Sequence, residues 1–556
     1  MKNRNRIIEL ASVREYDLVV IGGGIVGAGI AQNASVRGLS VLLVEKDDFS
    51  GHTSSKTTKL IHGGLRYLET GQLRLAYQLS RERDLLEQLA PHLIKDISFI
   101  LPLIRQEAFF SLKASVGLSV YDLLSFNIGH PHQSHKRLNP QEVFEAAPSL
   151  KQENVTGGLR FHDAITDDSR LVLAVLKSAS AHGAHVINYM EAVTLNIESN
   201  TVRGIECRDR LSGTNISVRC KACVNAAGVF SDQVLRLVKD KWKPRMLPSK
   251  GTHVVVPLSA FPTNTGLLLP NTDKRYIFVL PWQRTLLIGT TDNLYRGNLE
   301  NPLPDADEMD YLLHAVNQYN GGRRLNRSDI ISAWSGIRPL INQPGSSKSN
   351  GTSKLSREHQ ICSGPKGLIT VVGGKLTNYR LMAEETLNYI LSRFPQIDAA
   401  RGAVGRTRRL MLGGWLDKED YLTSTALIAS RARKLSLDPA TVDHITSTYG
   451  KDALSILDLV EQDADLKERI CPEFPPLMAE ITHCVQNELA VSLEDFLARR
   501  VRLAMLHHKL CMEAAPKVAL AMQSLLQWDN NRLDAELQAL SNSLSEQLPS
   551  PFISAK

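Results

Sequence analysis

The 556-residue chain is too long for one compact core and, at roughly 100 to 200 residues per domain, should fold as two to four domains. Its 43% hydrophobic and 22% charged residues are ordinary for a soluble protein, and no segment reaches the run of about 18 apolar residues that crosses a bilayer. The net charge of +7 is uneven: residues 401–556 carry 18 Lys/Arg against 21 Asp/Glu, so the basic excess lies in the first 400 residues, without the Lys/Arg run that would trace a nucleic-acid footprint. That field suits a phosphorylated substrate or an anionic membrane surface, and nucleic acid is set aside. Residues 1–15 (MKNRNRIIELASVRE) lack the apolar stretch of a secretory signal, and the seven cysteines are scattered and odd in number, so the chain is expected in a reducing cytoplasm.

Tyr16–Ile21 (YDLVVI) reads as a buried parallel strand, followed at once by Gly22, Gly24 and Gly27 in GGGIVG and by a helical run to Arg37. The first glycine makes the tight turn, the second lets backbone approach a pyrophosphate, and the third lets helix and strand pack closely. A second strand, Leu39–Val44, ends in Glu45, placed to hydrogen-bond a ribose hydroxyl. This predicts a dinucleotide site, and the motif alone leaves NAD open. Thr53, Ser54 and Ser55 are small polar residues placed for the ribose and phosphates of the same ligand. Further on, Phe109, Leu112, Val116, Val120, Leu123 and Leu124 form one helical stripe suited to a core, while Phe110, Leu118 and Tyr121 lie off it and would suit a dip into one leaflet. His130, His132 and His135 read as a loop.

Cys223–Gly228 (CVNAAG) is an apolar strand closing on small residues, as if the backbone passes the same ligand again. Cys220 and Cys223 form a CxxC, but no second CxxC completes a zinc site and strand alternation places them on opposite faces, so no metal site is expected. Thr252–Pro257, Tyr276–Pro281 and Thr285–Thr290 alternate like strands of an antiparallel sheet with one buried face. Leu368–Thr377 (LITVVGGKLT) repeats strand, two glycines and helix start. Three segments converging on one ligand, with a single GxGxxG, favour FAD. Residues 405–545 are helical in pattern, with breaks at Tyr449-Gly450 and Pro472–Pro476; a homodimer contact, a partner site and a mere cap all remain open there.

HTSSKTTKLIHGGLRYLE at His52–Glu69, Gly251-Thr252-His253, GTTD at Gly289–Asp292, WSGIRP at Trp334–Pro339, GGKLTNYR at Gly373–Arg380 and ELAVSLEDFLARR at Glu488–Arg500 together resemble the FAD-dependent, quinone-linked glycerol-3-phosphate dehydrogenases. The resemblance implies an α/β fold: a Rossmann-like FAD domain of the amino-acid-oxidase type, interleaved with an antiparallel-sheet substrate domain, plus a C-terminal α-helical domain. The expected division is 16–90, 155–245 and 330–400 for FAD, 91–154 and 246–329 for substrate, and 405–545 for the helical domain.

It further implies oxidation of sn-glycerol 3-phosphate to dihydroxyacetone phosphate by hydride transfer to flavin N5. Electrons would then pass to a membrane quinone, from a protein attached peripherally to the inner face of the cell membrane. Expected cofactor residues are Gly22, Gly24, Ile25, Val26, Gly27, Glu45, Lys46, Thr53, Ser54, Ser55, Leu60, His62, Gly63, Gly64, Val193, Ala226, Ala227, Gly228, Arg338, Gly374, Lys375, Leu376 and Thr377. Arg66, Tyr67, His253, Arg338 and Lys375 are expected to hold the substrate, and His253, Arg338 and Lys375 to carry catalysis, with His253 as proton acceptor and Arg338 as the alternative. Oxidases related to this family typically carry a long insertion between the segments of Arg338 and Lys375, which the short QPGSSKSNGTS loop here does not provide. An oxygen-using oxidase and a catalytically silent flavin-binding scaffold are the rival readings.

Overall fold

The structure, a computed structural model, describes residues 1, 3–64, 67, 71–104, 117–120, 122, 134–153, 155–239, 241–273, 275–341, 358–399 and 403–548. Two sheets organise the first 400 residues. In the first, parallel strands run in the order Ile369–Val372, Asn215–Asn225, Glu15–Ile21, Val41–Val44, His185–Ile187. The near-continuous apolar strand sequences follow from both faces being covered. Helices Ile25–Val36, Asp168–Ala181 and Tyr379–Arg393 pack on one face, while helix Arg4–Val13 and the Met190–Glu198 and Thr201–Asp209 strands cover the other. The three ligand-facing segments expected from sequence are adjacent here, because Asn215–Asn225 lies between Glu15–Ile21 and Ile369–Val372.

The second sheet, largely antiparallel, is built on Met246–Pro257, which pairs with both Thr285–Gly289 and Ser332–Ile341. It continues through Tyr276–Trp282, Gly266–Pro270, Lys95–Ile104 and Val155–Ile165 to the short strand Leu60–Ile61. Three expectations need correction. Val155–Ile165 and Ser332–Ile341, placed by sequence among the FAD segments, hydrogen-bond into this second sheet, and an apolar strand sequence does not say which sheet will take it. The central strands do not leave a face to solvent: Val254, Val256 and Ile288 pack under helix Ala306–Asn317, while Val255 and Leu287 share a core with the C-terminal helices. Cys220 and Cys223 pack into the same core rather than opposite ones, although the register with Glu15–Ile21 is the same on either side of Lys221. Both thiols are buried with Cys207, and burial helps raise the Cys207 and Cys223 thiols above their ordinary range, the Cys220 side chain being the first cause at Cys223.

Among the described residues, six helices of ten or more residues follow residue 405: Lys418–Lys434, Pro439–Tyr449, Ala453–Gln462, Ala479–Glu488, His508–Leu526 and Asn530–Gln547. Gly450, at φ 62°, ends the second of them at the break read from sequence. The segment Glu488–Arg502 runs from a helix end through a wide turn at Asp495–Arg500 and lies against the first two-thirds of the chain. Among the described residues no helix is long and apolar enough to cross a membrane. Of the 105–126 stripe only residues 117–120 and 122 are described; Leu118, an off-stripe position, is fully buried in the core. His130 and His132 lie outside the described residues, and His135 pairs with Asp122 at 2.6 Å.

Candidate active site

The glycine turn sits where a parallel strand hands over to a helix. Gly22 has φ 117°, and a β-carbon on it would fall 2.6 Å from the Ala226 carbonyl, so the Asn225–Gly228 turn lies directly against it. A β-carbon on Gly27 would fall 1.9 Å from the Gly22 carbonyl, which is the close helix–strand contact the third glycine allows. The helix starting at Ile25 carries no acidic residue in its first turn, and Gly24 offers no side-chain cap; Ser54 Oγ accepts from Ile25 N–H at 3.1 Å. Val26 packs at the edge of the helix–sheet core. Such a helix start presents N–H groups and a positive dipole end to an anion without a competing carboxylate, which fits the pyrophosphate of FAD.

Glu45 folds back on this turn, accepting hydrogen bonds from Gly23 N–H at 2.6 Å and Asp47 N–H at 3.0 Å. Burial raises its carboxyl above the ordinary range against the pull of those donors. The strand containing Val193 starts beside it, with Met190 N–H donating to Glu45 O at 2.7 Å, and Val193 itself is skipped in the pairing to Thr201–Asp209. Lys46 lies over the Phe230 ring at 3.9 Å and pairs with Glu300 at 2.5 Å. Asp47, His52 and Glu300 could converge on a cation, yet Lys46 and Arg210 already neutralise them.

The Thr53–Ser55 turn bridges the two sheets. Thr53 Oγ1 donates to Ile337 O at 2.7 Å, Ser54 meets the helix start, and Ser55 O accepts from Lys59 Nζ at 2.7 Å. From there Leu60 enters the second sheet and His62, Gly63 and Gly64 lead to Tyr67. Ala226 N–H donates to Ile21 O at 2.8 Å, and Gly228, Gly373 and Gly374 all take positive φ. Thr377 Oγ1 accepts from His62 N–H at 3.2 Å, which closes the third segment onto the second, and Leu376 packs at the edge of the same core.

Arg338 and His253 occupy one face of the second sheet. Arg338 donates to Thr290 Oγ1 at 3.1 Å and Thr291 O at 3.2 Å and pairs with Asp292 at 3.4 Å, whose carboxylate also accepts from Ser249 at 2.5 Å. Its guanidinium crosses Gly251, where no side chain intervenes. His253, 2% exposed, stacks on Trp334 with ring centroids 5.5 Å apart, and its Nε2 lies 3.0 Å from Thr58 Oγ1. Its Nδ1 is buried without a hydrogen-bond partner among the described residues. Burial first, then the charges of Arg338 and Lys59, hold the imidazole well below its ordinary pKa, so it is neutral at physiological pH.

Lys375 forms a second group with Tyr67 and His62. Its Nζ lies 3.1 Å from His62 Nε2 and 4.4 Å over the Tyr67 ring, which is itself buried. The Thr58–Tyr67 stretch connects this group to His253. Arg66 lies outside the described residues.

Sequence reasoning did not single out Lys59, Asp168 or Arg502. Lys59 and Asp168 are fully buried and paired at 2.7 Å, and Arg502 shares Asp168 at 3.0 Å. Burial and the Arg502 charge bring Lys59 down to about 8 despite its carboxylate partner. Lys59 adopts φ 65°, a backbone state that a lysine keeps only under such constraint. The Asp167-Asp168 pair ahead of a helix was the available signal, and it reads equally as a cap.

A family profile described as FAD dependent oxidoreductase matches residues 17–380, and one described as the C-terminal domain of alpha-glycerophosphate oxidase matches residues 405–533. The mitochondrial glycerol-3-phosphate dehydrogenase of Rattus norvegicus is 34% identical over 554 residues, which span 96% of this chain and 74% of that one. A probable mitochondrial glycerol-3-phosphate dehydrogenase of Dictyostelium discoideum is 34% identical over 563 residues, 98% of this chain and 85% of that one. Among solved structures, the glycerol-3-phosphate dehydrogenase from Bacillus halodurans complexed with FAD superposes with TM-score 0.81 at 28% identity, covering 100% of this chain and 99% of that one. The L-alpha-glycerophosphate oxidase of Mycoplasma pneumoniae shares the fold at TM-score 0.54 and 16% identity, over 70% of this chain and 96% of that one.

Proposed function

The chain belongs to the FAD-dependent glycerol-3-phosphate dehydrogenase family, and from that premise we propose that it oxidises the C2 hydroxyl of sn-glycerol 3-phosphate to dihydroxyacetone phosphate and delivers the electrons to a membrane quinone. FAD, when bound, supplies the acceptor for the C2 hydride at flavin N5. The observation that carries the reading is a neutral, buried imidazole and a guanidinium on one sheet face: His253 opposite Trp334, and Arg338 opposite Ser249 on the same two strands.

His253 takes the hydroxyl proton. Thr58 orients the ring through Nε2, Trp334 supports it from behind, and among the described residues Nδ1 has no partner to compete. Arg338, fixed by Thr290, Thr291 and Asp292, presents planar N–H donors to substrate oxygens, and Arg66 completes the phosphate clamp. Lys375, held at Tyr67 and His62, places a cation where negative charge develops as the alcohol becomes a carbonyl. His253, 2% exposed and stacked on Trp334, is shielded from water, which strengthens its interactions.

The cofactor is held by the Gly22–Gly27 turn, Glu45, Thr53–Ser55, Ala226–Gly228 and Gly374–Thr377. The protein sits peripherally on the inner face of the membrane, a placement supported by the basic excess of the first 400 residues and compatible with there being, among the described residues, no helix long and apolar enough to cross a bilayer. Turnover in air with a water-soluble quinone analogue tests the acceptor. Quinone reduction without matching peroxide supports the dehydrogenase, and peroxide stoichiometric with product makes it an oxidase.

A further inference from the structure

Three buried arginines of the C-terminal domain reach back to the two loops that carry the cofactor candidates. Arg500 grips the Asp48 carboxylate with both terminal nitrogens, at 2.7 and 2.9 Å, and Arg499 adds a third bond to it at 2.7 Å. Asp48 lies just past Glu45, and its loop returns to the glycine turn, where Ser50 N–H donates to Gly23 O at 3.1 Å. Arg502 donates to Ser55 O at 2.8 Å and to Asp168 at 3.0 Å. Asp168 also accepts from Thr57 N–H at 3.0 Å and Thr57 Oγ1 at 2.8 Å, and the next residue, Thr58, holds His253.

Asp48, Asp168, Arg500 and Arg502 are all at most 1% exposed. Asp168 is shared with Lys59, which also donates to Ser55 O, and Asp48 is shared with Arg499; losing Arg502 or Arg500 leaves each buried carboxylate to that remaining cation with fewer hydrogen bonds, so the loops cannot drift without cost. Both clamped loops bear residues assigned above to FAD, and Arg500 and Arg502 are themselves at most 1% exposed.

We propose that the C-terminal helical domain is a positioning element of the active site: Arg500 sets the Glu45–Ser50 loop against the glycine turn, and Arg502 sets the Ser55–Thr58 turn that orients His253. This rests on the assignment of Glu45 and Thr53–Ser55 to FAD and of His253 to the substrate proton.

The test is FAD titration of the full-length apo-protein, followed by flavin fluorescence and visible circular dichroism, for wild type, R502A, R502K and L540A. Leu540, buried in the C-terminal core on helix Asn530–Gln547, makes none of the bonds to Asp48, Asp168 or Ser55 and controls for loss of domain stability. The expected result is FAD affinity weakened about tenfold or more in R502A, with an altered flavin dichroic band and a displaced acid limb of kcat/KM. R502K, which keeps a charge toward Asp168 and loses the guanidinium's other limb to Ala498 O, recovers part of the affinity, while L540A lowers Tm with wild-type FAD affinity. FAD affinity and dichroism unchanged in R502K and R502A, or an equal loss in L540A, would overturn the proposal. If R502A does not fold, R502K against L540A decides. FAD titration needs no substrate, so an error in the assigned substrate leaves this comparison intact.

Discussion

The guanidinium of Arg338 lies across Gly251, where a β-carbon would stand 2.4 Å from its Nη2 and 2.7 Å from Thr290 Oγ1. Glycine is required there by the side chain passing over it, not by its own backbone angles. Gly251→Ala should therefore push Arg338 off its seat on Thr290 and Asp292 while leaving the strand paired. We expect kcat/KM for sn-glycerol 3-phosphate to fall about tenfold to a hundredfold with FAD content unchanged, measured by steady-state kinetics on flavin-normalised protein. Wild-type kinetics in this variant would remove Arg338 from the substrate clamp.

Lys375 is held between an imidazole nitrogen and an aromatic face, so its charge is directed rather than free. Lys375→Met keeps the bulk of the stem and removes the charge. The expected outcome is a drop of about a hundredfold in kcat, with Lys375→Arg recovering part of it and the flavin spectrum retained. A Lys375→Met protein that turns over normally would confine Lys375 to a structural role.

Acid stability follows from buried histidines. Burial is the first cause that lowers His92 and His508 to about 3, His483 to about 4 and His253 well below its ordinary value. The unfolded chain protonates each near its ordinary pKa of about 6.5, while the folded chain does not. The unfolded state thus binds more protons below that pH, and stability, fully present above it, is lost as pH falls toward the folded values. Each such histidine adds a slope of up to about 1.4 kcal/mol per pH unit.

His508 offers the cleanest check, since neither ring nitrogen has a hydrogen-bond partner among the described residues. His508→Leu should hold or raise Tm at neutral pH and flatten the fall in Tm between pH 6.5 and 4, read by calorimetry across that range. A large loss of Tm at neutral pH would show that the ring makes an interaction that leucine cannot replace.

Much of the cofactor half was legible in the sequence because its signals are local. The Tyr16–Ile21 strand, the three glycines and Glu45 occupy consecutive stretches, and close backbone approach dictates their residue types. The adjacency of Cys223–Gly228 and Leu368–Thr377 was also readable, since each ends an apolar strand in small residues. Sheet membership was not: Val155–Ile165 and Ser332–Ile341 are apolar strands whose partners are chosen by long-range packing. The buried faces of the second sheet were missed because the cover comes from helices past residue 405, far along the chain. Cys220 and Cys223 pack into one core, which strict alternation along the strand does not anticipate. Lys59, Asp168 and Arg502 escaped notice because a buried charge and a surface charge look alike until their partners are known.

The most direct test of the central claim is an anaerobic visible spectrum of the purified flavoprotein before and after sn-glycerol 3-phosphate is added. The account predicts that the oxidised flavin band bleaches and that a quinone analogue restores it faster than air does. A flavin that stays oxidised under those conditions would contradict the substrate and the reaction together.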